Sequence, residues 1–174
     1  MNHKIELNLD SKIGLIHFFE DKRLAMAASH FAVDLMRESL NQARVRFGSR
    51  HQGVTVSLEG PGELCLWADK HSLTQILASL ISHSFQSVQG QGRLVLGWFR
   101  VNGGVSLWVD DSGPGFDAEQ LGRLFEPSTP APEGAALSLW QCQTQVEDQG
   151  GVLRTFSRPG SGASMVVWLP QPIE

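Results

Sequence analysis

The chain has 174 residues, enough for one well-packed core and, by size alone, one domain rather than two. Fourteen Lys and Arg against eighteen Asp and Glu give a formal net charge of -4, so the broad basic footprint of a nucleic-acid binder is absent. With 41% hydrophobic and 18% charged residues the chain is expected to fold. No run approaches the roughly 18 uncharged apolar residues of a membrane span, and Met1 to Glu6 lacks a signal-peptide stretch, so a cytoplasmic protein is expected.

Residues 4–20 alternate short apolar runs with charges and read either as a strand followed by a short helix or as one amphipathic segment. From Phe31 to Phe47, apolar residues recur near helical spacing, with Asp34, Arg37 and Glu38 on the other faces; this is the first long helix. Val54 to Leu58 alternates strictly, Gly60-Pro61-Gly62 turns, and Leu64 to Trp67 runs back, which predicts a hairpin. Asp69 is placed to cap a second helix carrying the stripe Leu73, Ile76, Leu77, Leu80, Ile81 and Phe85.

Arg93 to Val101 and Val105 to Val109, joined by Asn102-Gly103-Gly104, predict a second hairpin whose far strand runs into Asp110-Asp111-Ser112-Gly113-Pro114-Gly115. After a short helical piece at Ala118 to Leu124, Pro127, Pro130 and Pro132 exclude regular structure. Ala136 to Gln149 reads as a third helix, followed by strands at Val152 to Ser157 and Ser164 to Leu169. The order α, ββ, α, ββ, loop, α, ββ lacks the βα alternation of a parallel sheet. It predicts an α+β fold, a two-layer sandwich in which about three helices cover one face of a mixed, mostly antiparallel sheet. Cys65 and Cys142 are too few for a disulfide framework or a zinc site and are expected as buried thiols.

Four segments, in order, resemble the sequence boxes of the histidine-kinase-like ATPase superfamily, specifically the ATP-binding domain of bacterial sensor histidine kinases. Asp69 to Phe85 is similar to the N box, and Val109 to Phe116 to the G1 box, whose Asp-x-Gly-x-Gly is carried by Asp111, Gly113 and Gly115. Leu124-Phe125-Glu126-Pro127 resembles the F box at the start of an ATP lid. Glu133 to Leu139 stands at the G2 box, and Val146 to Gly151 through Leu169-Pro170 matches the family's ending. The resemblance implies that Asp111 accepts a hydrogen bond from adenine, with Gly113, Gly115, Gly134 and Phe125 at the nucleotide.

The same resemblance exposes departures. The family's N-box positions for a polar residue and a magnesium-binding asparagine hold Ser79 and His83, and the basic or aromatic residues that follow are Gln86 and Ser87. Imidazole suits softer metals than magnesium. In the G2 box, Ala136 and Ser138 replace glycines that let a helix N-terminus cradle phosphate, leaving Gly134. Residues 1–30 read as a lead, at most a remnant of a dimerisation helix, before a domain at 31–174; His17 and His30 lack the neighbours of a phosphoacceptor.

The leading expectation is therefore a degenerate domain acting as a regulatory or protein-binding module in two-component signalling. No residue is assigned as catalytic or metal-binding, a histidine kinase or response regulator is expected as partner, and a homodimer stays open. The rival expectation is a working ATP- and magnesium-dependent histidine kinase domain. A third keeps the adenine end for a nucleoside, a cyclic nucleotide or another small regulator. Gln75, Ser79 and His83, four residues apart, form one polar stripe read either as a repurposed site or as the lining of an abandoned one. Tryptophans on an open sheet face would mark a partner surface.

Overall fold

The computed structural model describes residues 28–127 and 135–172. The amphipathic segment 4–20, His17, Pro130, Pro132 and Gly134 lie outside the described residues. The first described strand, β1 (Ala28–Phe31), leads into helix α1 (Ala32–Phe47), which buries Leu35, Met36, Leu40, Ala43 and Phe47 along one stripe. Ser39 also falls on the buried side, and its hydroxyl donates to the Leu35 carbonyl at 2.6 Å, so no donor is orphaned there. Gly48, at φ 60°, closes the helix.

Strand β2 (Val54–Glu59) is followed by β3 (Cys65–Ala68), but these two do not pair with each other, which corrects the expected hairpin. β2 pairs in parallel with a later strand, β4 (Gly92–Val101), whereas β3 pairs antiparallel with β1 to make a separate two-stranded sheet. The reason lies in the turn between them. The Trp98 indole donates to the Pro61 carbonyl at 2.9 Å, so the chain folds over the inner face of β4 instead of doubling back along β2. Ala32 N donating to Leu64 O at 2.9 Å then joins β3 to the start of α1.

Asp69 caps the second helix, α2 (Lys70–Ser87), its Oδ1 accepting from the backbone N–H groups of His71 and Ser72 at 3.0 and 3.4 Å. Because α2 lies between α1, the last helix and the sheet, Leu73, Ile76, Leu77, Leu80, Ile81 and Phe85 are all buried. Ala78, Ser79, Ser82 and Ser84, on other faces, are buried as well. Small residues on those faces are what allow three neighbours to approach one helix.

β4 and β5 (Gly104–Asp111) form the predicted second hairpin. A short helix, α3 (Ala118–Arg123), begins at a capping box made by Asp117 and Gln120. The last helix, α4, spans Leu139–Asp148 and starts three residues later than expected, because Ser138 serves as its cap rather than its interior. β6 (Val152–Ser157) and β7 (Ala163–Pro170) complete a five-stranded sheet in the order β2-β4-β5-β7-β6, antiparallel except for the β2–β4 pair. One face of the sheet sends Leu94, Leu96, Leu107, Val109, Leu153, Met165 and Val167 into the core under the helices. The two-layer sandwich is as expected. Cys142 is buried and its thiol is pushed up to about 12 by desolvation, whereas Cys65 is only half-buried.

Candidate functional site

At the end of β5 the sheet delivers Asp111 into the helical layer, where the residue is 8% exposed. Its Oδ1 accepts from Gly113 N at 2.8 Å and from the Ser87 hydroxyl at 3.2 Å. These bonds fix the carboxylate's orientation, and Oδ2 makes no hydrogen bond among the described residues. Gly113 is required by close approach, since a Cβ would overlap the Ser87 hydroxyl; Gly115, at φ 71°, turns the chain where a Cβ would overlap the Arg158 carbonyl. Ser157 locks this corner, its hydroxyl accepting from Phe116 N at 2.8 Å and donating to Gly162 O at 2.6 Å. An open groove of about 670 Å³ beside this corner is lined by Asp111 and Arg158 but also by Asp110, Phe156 and Ser164, whose register puts them on the sheet face away from the helices. Neither Ser79 nor His83 lines it.

The polar stripe of α2 is occupied by the protein itself. The Ser79 hydroxyl donates to Gln75 O at 2.8 Å and accepts from Leu137 N at 2.9 Å. One turn on, the His83 Nε2–H donates to Leu137 O at 2.8 Å. Both halves of the backbone at Leu137 are thus held by α2, directly ahead of α4. Burial lowers the His83 pKa from its usual value, an effect the Leu137 carbonyl partly opposes, so the ring is neutral at pH 7. Gln75 is not part of this clasp: its side-chain amide meets His71 Nε2 at 3.1 Å.

The N-terminus of α4 is partly engaged as well. Ser138 Oγ accepts from Gln141 N at 3.2 Å, and Gln141 Oε1 accepts from Ser138 N at 2.9 Å, a reciprocal box that uses two of the donors a helix end otherwise presents. Of the sequence-predicted residues, Asp111, Gly113 and Gly115 share one corner, Ser79 and His83 meet at Leu137, Phe125 is half-buried against the core, and Gly134 lies outside the described residues. Sequence reasoning missed Ser87 as the partner of Asp111. Its position four residues after His83 continues the 75, 79, 83 stripe and was the available signal. No cluster of three or more His, Cys, Asp or Glu side chains suited to a metal occurs among the described residues.

A mixed sheet under helices, with an Asp-x-Gly-x-Gly corner at the end of its central strand, defines an ATPase domain of the histidine kinase type. Residues 68–173 match the family described as histidine kinase-, DNA gyrase B- and HSP90-like ATPase, and the chain belongs to that family. The sensor histidine kinase ZraS of Escherichia coli K12 is 35% identical over 104 residues, which is 59% of this chain and 22% of that protein. The alginate biosynthesis sensor protein KinB of Pseudomonas aeruginosa is 29% identical over 137 residues, 75% of this chain and 23% of that protein. The chain therefore spans less than a quarter of either relative. Among solved structures, the nucleotide-free catalytic domain of histidine kinase ThkA superposes with a TM-score of 0.71 at 22% identity, covering 83% of this chain and 95% of that one.

Proposed function

We propose that this domain has given up magnesium-assisted phosphoryl transfer and serves two-component signalling as a regulatory, protein-binding module. The observation that carries this reading is the His83–Leu137 hydrogen bond. Magnesium takes oxygen ligands in near-octahedral geometry. At the corresponding positions stand an imidazole whose Nε2–H is directed at a carbonyl and a hydroxyl already donating and accepting. These donors do not fit the ion, and no phosphoryl-transfer step is assigned to them. At the α4 N-terminus, where a phosphate would find free N–H groups, those of Ser138 and Gln141 are taken by the capping box. Positioning and charge neutralisation supply nearly all of the catalysis in phosphoryl transfer, so residues tied up in this way would remove its main contributors.

The Asp111 corner favours a second reading, a working ATP-binding domain of a sensor histidine kinase. Its Oδ2 is left for an exocyclic amine, and two glycines hold the backbone close. The relatives named above are sensor kinases, which supports two-component signalling as the setting and a kinase or response regulator as the partner.

Restoration separates the two. His83→Asn combined with Ala136→Gly and Ser138→Gly releases the His83 half of the clasp and the cap, and is expected to create magnesium-dependent ATP binding that the parent chain lacks. ATP hydrolysis, or phosphorylation of a partner histidine, by the unmodified chain would overturn the first reading in favour of the second.

A further inference from the structure

The hydroxyls of Ser39, Ser79 and Ser82 follow one rule: each donates to the carbonyl four residues earlier in its own helix, at 2.6, 2.8 and 2.7 Å. Ser87, at the end of α2, does not. Its hydroxyl reaches across to Asp111, 24 residues away in sequence, and donates to Oδ1 at 3.2 Å. Gly113 N donates to the same oxygen at 2.8 Å. A carboxylate oxygen has two lone pairs, and here both are taken. Asp111 therefore offers a ligand one oxygen, Oδ2, where an unpartnered carboxylate offers two.

That difference decides which bases the corner can hold. A carboxylate with both oxygens open takes a pair of neighbouring donors, as it takes the two parallel N–H groups of an arginine. Guanine presents such a pair, a ring N–H beside its exocyclic amine. Adenine presents one exocyclic amine beside a ring nitrogen that only accepts. We propose that Ser87 is a specificity-determining residue of this corner: by closing Oδ1 it leaves Asp111 a single open oxygen, which fits adenine and denies guanine its second hydrogen bond. Gly113 alone does not close Oδ1, since its N–H fills one lone pair and leaves the other. Ser87 acts through Asp111, as a positioning residue, and needs no contact with the base itself. This role rests on the Asp111 corner receiving a base, as in the second reading above.

Titrating the isotopically labelled 174-residue chain with AMP and with GMP, without magnesium, reads binding at the Gly113 amide resonance. Both ligands carry the same phosphate, which cancels from the ratio of their dissociation constants. The parent chain should prefer AMP by about tenfold or more. Ser87→Thr and Ser87→Val introduce side chains of equal shape, and only Ser87→Thr keeps the hydroxyl. Ser87→Thr should hold the ratio within about threefold of the parent, whereas Ser87→Val should lower it about tenfold, chiefly through tighter GMP binding. A role in packing alone would move the two variants alike and leave the ratio unchanged. Asp111→Asn should abolish AMP binding. If it does so while Ser87→Thr and Ser87→Val share one ratio, the corner remains a base site and the role of Ser87 is overturned. If neither nucleotide binds the parent at about 10 mM, or AMP binds regardless of Asp111→Asn, the corner receives no base and the proposal falls with that reading.

Discussion

Removing one hydroxyl tests whether α2 holds the segment ahead of α4. In Ser79→Ala the Leu137 N–H loses its acceptor at 2.9 Å, while the Gln75 carbonyl remains within the α2 ladder. Ser79 is completely buried, so water does not readily replace the lost oxygen. Leaving a buried donor unpaired costs about 1–3 kcal/mol, against which alanine gains about 0.5 kcal/mol of helix propensity. A net loss of about 1–2 kcal/mol follows, equivalent to about 3–6 °C in melting temperature for a domain of this size. His83→Ala should cost more, about 2–3 kcal/mol, because buried ring contacts go with the hydrogen bond. Since both side chains hold the same residue, Leu137, through the peptide groups on either side of it, the double variant should fall short of the sum by about 1 kcal/mol. Urea unfolding followed by tryptophan fluorescence measures all four proteins. Ser79→Ala unfolding within about 0.3 kcal/mol of the parent, or strict additivity, would mean that Leu137 is not held in this manner.

His83 also sets a pH dependence. Its folded pKa lies below the unfolded value of about 6.5, so above that pH both states are neutral, and below it the unfolded state binds the extra proton. Stability should fall as pH drops from about 6.5 toward the folded value, by at most about 1.4 kcal/mol per pH unit, and His83→Gln should flatten that slope in melts between pH 7 and 5. Gly115→Ala, forced to φ 71° against the Arg158 carbonyl, should lose at least about 1–2 kcal/mol in the same urea assay. Of the two cysteines, Cys65 should react with a thiol reagent in the native chain while Cys142 reacts only after denaturation; equal rates for both would contradict the packing around α4.

Features governed by local chemistry were legible in the sequence: the Asp69 cap, the Asn102-Gly103 turn between β4 and β5, and the buried stripe of α2. The β2–β3 hairpin failed because a turn signal such as Gly60-Pro61-Gly62 says where a chain bends, not which strand it rejoins. That choice was made by Trp98, which lies 37 residues from Pro61 in sequence. Ser138 falls inside the helix expected over Ala136 to Gln149, whereas its hydroxyl accepts from Gln141 N and makes it the cap of α4. Asp111 could be singled out from its motif. Its partner Ser87 needed the α2 stripe to be followed one turn further. The Leu137 clasp was hidden for a different reason: its acceptor and donor belong to the backbone, which carries no residue-type signal, and only the path of the chain into α4 brings them to Ser79 and His83.

Calorimetric titration with ATP and with ADP, each in the presence and absence of magnesium, bears most directly on the proposal that the domain has given up magnesium-assisted phosphoryl transfer, with Asp111→Asn as the control. The clasp predicts that magnesium changes nothing: any nucleotide binding rests on Asp111 and is equal for ATP and ADP. Micromolar ATP binding that requires magnesium and disappears in Asp111→Asn would contradict it, and would make the chain a working kinase domain.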